Sequence, residues 1–258
     1  MGEHLMRVRE RLEATLGGDV PEARRLDVAR ATVAELADEP TLLGMLTELA
    51  TGAETTAACA RRSYRDTLGC QWRLLLIDGG YPYTLRLHAW RASGPDERLD
   101  IHNHRSALAS AVVRGELRSD LYVSEGPGGG SADGGVTVTA YREQLSADGA
   151  DWLLLHRGSA RLRLVHTVRY VAGASYALGP LALHRAWCDP GSEALTLFLE
   201  TGAERRPHTD VYSTVDRHPT AVHKAALTQH EFRSVLTALA ASLTDTGTAP
   251  AVGGLNAW

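Results

Sequence analysis

Several features are missing from this chain of 258 residues, and each absence removes a class of function. No apolar run approaches the roughly 18 residues that a membrane helix requires. The start, Met1-Gly2-Glu3-His4, lacks the basic-then-apolar order of a signal peptide, so a cytoplasmic protein without a membrane partner is expected. Cysteine is scarce. Cys59, Cys70 and Cys188 are odd in number and show no CxxC spacing, which argues against a disulfide framework or a zinc knuckle and for buried free thiols. Charge of one sign is also lacking: the formal net charge is -4 and the basic residues are scattered, so nothing draws the chain to nucleic acid. The glycine-rich run over 126–135 has no strand-loop-helix context, so it reads as a surface loop rather than a phosphate cradle.

With 44% hydrophobic and 22% charged residues, the composition is that of a globular domain long enough to bury a core. The first quarter is helical in pattern. Leu5, Val8, Leu12 and Leu16 recur at helical spacing up to Gly17-Gly18, where a positive φ would stop the helix. Pro21 opens a second helix with the stripe Leu26, Ala29, Val33 and Leu36, and further helices are predicted over 41–51 and 54–66. No chemical motif falls in this part, and its expected role is packing against the main domain or a dimer partner.

Beyond residue 68 the period changes to that of strands. Strands are predicted over 72–77, 83–91, 107–113, 116–123, 136–141, 161–170 and 195–199, separated by glycine, proline and polar turns. Many short strands at close spacing argue for a β-sandwich or jelly-roll barrel. A closing helix follows, capped by Thr228 with Glu231 three residues on and carrying Phe232, Val235, Leu236 and Leu239 as its buried stripe. The expected organisation is a helical segment over 1–67, a β-barrel over 68–215, and a C-terminal helix with a loosely held tail over 216–258.

The chemistry concentrates in Leu99-Asp100-Ile101-His102-Asn103-His104. If this stretch is a strand, His102 and His104 project to the same side and can chelate one metal ion. His184, in Leu183-His184-Arg185, is the candidate third ligand, and three imidazoles would leave coordination positions open. His88 and His166 are the runners-up, as ligands or as partners of ligands. His156 and His223 read as surface or satisfied core histidines. Trp72, Tyr83, Trp90, Tyr176 and Trp187 suit either a pocket or a core.

His102-x-His104 followed by Gly115, then a lone histidine about 80 residues on, resembles the two metal motifs of the cupin superfamily, whose fold is a jelly-roll barrel. The strand ending in Trp90 and the Leu183-His184-Arg185 triplet are similar to the cysteine dioxygenase branch over about half of the chain. Most cupins carry a glutamate ligand where this chain has Leu108, so the resemblance implies an all-histidine triad rather than the set of oxalate oxidases. Thiol dioxygenases of the animal type link a cysteine to a tyrosine at the positions matching Leu108 and Glu200, and that crosslink cannot form here. Their serine-histidine-tyrosine relay falls on Thr196, Phe198 and Glu200, so cysteine itself is not supported as the substrate.

A jelly-roll cavity that binds a carboxylate needs an inward guanidinium, whose fork grips both oxygens. The resemblance makes Arg73 the first choice, with Arg86 second. Arg163 also lies in a predicted strand, and Glu200 completes the candidate catalytic set. Three neutral imidazoles leave a divalent metal its full charge, which favours an anionic substrate. The implied cofactor is Fe(II) acting on dioxygen and a small amino-acid-like or thiol-containing acid. Zn(II) serving a lyase or isomerase, and a metal-free binding protein, are the alternatives. A homodimer is a further possibility, through the helical segment or a barrel edge.

Overall fold

The computed structural model describes residues 2–18, 20–52, 54–65, 71–80, 83–91, 100–125, 135–147, 151–202, 205–214 and 221–245. Cys70, residue 126 to residue 134 of the glycine-rich run, and the tail beyond residue 245 lie outside them. Four helices come first: α1 (Glu3–Leu16), α2 (Glu22–Leu36), α3 (Glu39–Thr51) and α4 (Glu54–Ala60). α1 stops at Gly17 without a left-handed residue, since Gly17 keeps φ at -76°. α3 begins two residues earlier than expected because Asp38 caps it, accepting from the Thr41 amide at 3.1 Å, with Pro40 in the first turn where it costs no hydrogen bond. α4 ends at Ala60, short of the expected residue 66, because Tyr64 and Arg65 leave the helix to pair with the sheet.

The strands are β1 (Tyr64–Arg65), β2 (Gln71–Asp78), β3 (Tyr83–Arg91), β4 (Ile101–His102), β5 (Leu108–Glu125), β6 (Gly135–Leu145), β7 (Asp151–Val171), β8 (Ser175–Leu178), β9 (Leu183–Trp187), β10 (Glu193–Thr201), β11 (Thr209–Ser213) and β12 (Ala221–His223). All pairings between them are antiparallel. α5 (Gln229–Thr244) closes the described chain with the expected capping box of Thr228 and Glu231. The protein is thus mainly β, a jelly-roll barrel with a helical N-terminal segment and a C-terminal helix.

The strands expected separately over 107–113 and 116–123 are one strand, β5, that serves two sheets. Its first half pairs with β10 and β8, and its second half with β7 and β9. Gly115 sits at the change of sheet with φ at +75°, and a Cβ there would lie 2.0 Å from the carbonyl oxygen of Glu193. Only glycine meets both conditions. The second sheet closes on itself through β5, β9, β4, β11, β6 and β7. The first sheet, in the order β1, β2, β3, β10, β5, β8, is curved over one side of the barrel.

Register decides which side chains enter the barrel. Leu85, Leu87, Leu195, Leu197, Leu199, Ala109 and Ala111 join Leu12, Leu46, Phe232 and Leu236 in one core between the first sheet and the helices. The alternate residues on the same strands, Arg86, His88, Trp90, Thr196, Phe198, Glu200, Leu108 and Ser110, therefore point inward. Trp72 and Tyr83 belong to the helix-side core rather than to a pocket, whereas Trp90 and Tyr176 pack inside the barrel. Cys59 and Cys188 are buried free thiols as expected, and burial pushes them up to about 11 and about 12.

Gly115→Ala should destabilise the fold by about 3–4 kcal/mol, because it combines a left-handed backbone with a clash against main chain. Gly158, with φ at +100° and nothing within 4 Å of a built Cβ, is the control. There the same change should cost about 1–2 kcal/mol, from conformation alone. Urea denaturation midpoints of the two variants give the comparison.

Candidate metal centre

His102 is the last residue of β4 and pairs directly across from His184 on β9, so the two imidazoles share a face. His104 lies beyond the strand. The expectation of both histidines on one strand is corrected: β4 covers only Ile101 and His102, and Asn103 ends the regular pairing. What returns His104 to the same side is Asn103. Its amide nitrogen donates to the Asp210 carboxylate at 2.8 Å, its side-chain oxygen accepts from the Asp210 amide at 2.8 Å, and its backbone amide donates to the Asp210 carbonyl at 3.1 Å. Arg206 holds Asp210 in turn at 2.9 Å.

The three rings form a triangle. Centroids are 4.8 Å apart for His102 and His184, 5.1 Å for His102 and His104, and 5.1 Å for His104 and His184. One ring nitrogen from each lies within 4.8 Å of the others, and among the described residues this is the group of His, Cys, Asp or Glu side chains placed to hold a metal. Nδ1 of His102 faces the Asp100 carbonyl at 2.8 Å, and Nδ1 of His184 faces the Ala182 carbonyl at 3.2 Å. A carbonyl only accepts, so each Nδ1 carries the proton and each Nε2 keeps its lone pair. Burial lowers His184 to about 3 and holds His104 well below the usual histidine range, with the neighbouring imidazoles adding to the effect in both. Both are therefore neutral at pH 7, the form that binds a metal.

β9 is fixed to β5 beside His184. Asp120, opposite Arg185 in the register, is buried and accepts from Arg185 Nε at 3.0 Å and Nη2 at 2.8 Å, from Thr167 at 2.6 Å and from Tyr122 at 3.1 Å. The Arg185 guanidinium also lies 5.6 Å from the Tyr122 ring and 5.7 Å from the Trp187 ring. The arginine of the Leu-His-Arg triplet is thus an anchor of the strand. Neither Asp120 nor Asp210 is distinguished by local sequence. The one signal that could have found them is a buried polar residue between or beside histidines, which must have a partner somewhere.

The other candidates separate clearly. Arg73 on β2 stands opposite inward-facing His88, and its charge acts on His88, His104 and His184. Its guanidinium lies 6.0 Å from the Tyr64 ring. Arg86 donates to the Arg62 carbonyl at 3.0 Å and sits in the field of Glu200. Burial lowers its basicity, and Tyr64 and Glu200 oppose that. Glu200 itself acts on Arg86 and Arg105, and pairs in register with Leu108. Leu108 is buried. The runner-up His166 is corrected: it is exposed on β7, far from a ligand's environment, and Arg163 is exposed in an ion pair with Glu125 at 3.4 Å. His166 and Arg163 are exposed because, among the described residues, no helix packs on that part of β7.

No family model matches the chain, and no curated protein does. Among solved structures it is similar to a cupin-like protein from Thermotoga maritima, at 13% identity over 64% of this chain and 83% of that one, with a TM-score of 0.31. It is also similar to an RmlC-like cupin from Shewanella frigidimarina, at 16% identity over 54% and 83%, with a TM-score of 0.32. A DMSP lyase, DddQ, from Ruegeria pomeroyi is similar at 11% identity over 57% and 56%, with a TM-score of 0.33. No helix among the described residues is long and apolar enough to cross a membrane.

Asp120 links the site to pH. Burial raises its carboxyl, but the hydrogen bonds from Thr167, Arg185 and Tyr122 outweigh that and hold it below the ordinary value. A depressed acid contributes stability above its unfolded value and loses it as pH falls through the folded one, so this contribution should begin to fall near about pH 4 and be gone only at more acid pH. Asp120→Asn should cost about 3 kcal/mol at neutral pH by leaving Arg185 unpaired. Denaturation curves at several pH values should show the variant and the parent converging in acid.

Proposed function

We propose that this chain is a cupin-type metalloenzyme in which His102, His104 and His184 hold one divalent metal, Fe(II) first, and which oxidises a small organic acid with dioxygen. The observation that supports it most is the triangle of imidazoles, His184 buried and His102 and His104 half-buried, with both carbonyl-oriented rings presenting Nε2. Neutral nitrogen ligands without a carboxylate leave a bound metal its charge, and the iron, when bound, supplies the redox chemistry with dioxygen that no side chain of the protein can.

The chain's own residues have simpler tasks. Arg73 binds and orients the acid, since it stands opposite inward-facing His88 and its charge acts on His104 and His184. Phe198, whose ring centroid is 5.7 Å from that of His104, and Leu108 keep the inner wall apolar and exclude water. Thr196 Oγ1 accepts from the Trp90 indole at 3.0 Å, which fixes the oxygen on the inner wall and leaves its O–H to donate.

Protein purified without added metal and then titrated with Fe(II) should bind one equivalent and consume dioxygen in the presence of small acids. Stoichiometric zinc with no dioxygen uptake would overturn the oxygenase reading, and no stoichiometric metal would overturn the metalloenzyme reading. Alanine at His184 should abolish metal binding while the far-ultraviolet circular dichroism stays that of the parent. Retained metal in that variant would sink the ligand assignment. Arg73→Gln should keep the metal and weaken acid binding by about 10- to 100-fold, the loss expected for one charge-assisted hydrogen-bonding group of about 1.5–3 kcal/mol.

A further inference from the structure

His88 is an inward-facing histidine that the three-histidine centre does not use. Registers across β2, β3 and β10 set Arg73, His88 and Thr196 in one row on the barrel's inner wall. His88 is 5% exposed. Its ring stacks on Phe198, with centroids 4.6 Å apart and planes 24° from parallel, and meets Trp90 edge-on at 6.1 Å. Phe198 in turn packs near His104, so one aromatic ring separates His88 from the triangle. Nε2 of His88 is buried and makes no hydrogen bond among the described residues. A leucine would fill the same apolar space without that unsatisfied nitrogen, so packing alone gives no reason for a histidine.

The surroundings define what the nitrogen would meet. Burial, with Arg73 and Arg86 nearby, holds the ring uncharged, so it offers one lone pair and one N–H rather than a cation. The same two guanidinium charges disfavour an ammonium group beside it and leave the carboxylate of a substrate to Arg73. An uncharged hydroxyl fits the remaining requirement.

We propose that His88 is a specificity-determining residue, its Nε2 hydrogen-bonding a hydroxyl of the acid held at the three-histidine centre, so that the substrate class is a small hydroxy acid. The inference rests on the reading of the centre given above. It assigns recognition of the anion to Arg73 and recognition of the neutral substituent to His88.

The test uses the full chain loaded with Co(II), whose visible absorption reports ligands near the metal, and three probes: propionate, L-lactate and 3-hydroxypropionate. The parent should prefer at least one hydroxy acid over propionate by about tenfold, the equivalent of one hydrogen bond. His88→Leu should bring that ratio to within about twofold, leave propionate binding unchanged and raise the melting temperature; His88→Gln should keep most of the preference. An unchanged ratio in His88→Leu overturns the proposal and leaves the metal centre standing. Failure of the parent to bind cobalt or any of the three acids overturns the reading of the centre and this inference with it. Should His88→Leu fail to fold, the 15N resonance of His88 Nε2 in the zinc-loaded parent decides the matter. It should move with the preferred hydroxy acid and not with propionate, and no movement with either hydroxy acid overturns the proposal.

Discussion

The pairing of His102 with His184 across β4 and β9 is the contact on which the site depends, and it is a weak one by itself. β4 is two residues long, and a strand of that length contributes little pairing of its own. It is held because its neighbours are clamped on either side: Asn103 to Asp210 on β11, and Arg185 to Asp120 on β5. Both clamps join a residue adjacent to a ligand with a carboxylate far along the chain. Each therefore fixes the backbone beside an imidazole without itself bonding to a ring nitrogen. The rings are oriented separately, by the Nδ1 contacts of His102 and His184 to backbone carbonyls, which leave Nε2 facing the centre.

Much of the scaffold was legible in local pattern. β3 matches its predicted bounds, and α5 begins where Thr228 and Glu231 place it, because a capping box and a period-2 run are local signals. β5 was read as two strands because Gly115 looks like a turn. The left-handed glycine instead carries one strand from the first sheet to the second, which depends on the approach of Glu193 from β10 and cannot be read from neighbouring residues. The ligands were legible as a spacing, but their arrangement was not. β4 ends at His102, and the backbone between it and His104 is fixed by Asn103 through a carboxylate 107 residues away.

The choice between Arg73 and Arg86 shows a further reason for the limit. Leu74, Leu75, Leu76 and Ile77 are all buried, so β2 carries no alternation from which to infer its inward face. The register shifts between Leu75 and Ile77, which changes the phase of the strand midway. The irregularity lies beyond Arg73, which stands opposite His88, while Arg86 is two residues before His88 on β3 and donates to the Arg62 carbonyl, a difference no local pattern records.

The helical segment, which carries no chemical motif, acquires a physical role from the same geometry. Leucines of β3 and β10 present an apolar outer face, and α1, α2, α3 and α5 bury it. Each fully buried leucine contributes about 1.5–3 kcal/mol, so most of the stabilisation of the first sheet lies outside the barrel. That arrangement frees the inner face to carry Arg73, Arg86, His88 and Glu200, groups that a barrel stabilised from within could not hold. A barrel of this kind can change its inner residues while its outer core keeps the strands in register, so the inner face of β2, β3 and β10 is free to carry polar and charged groups.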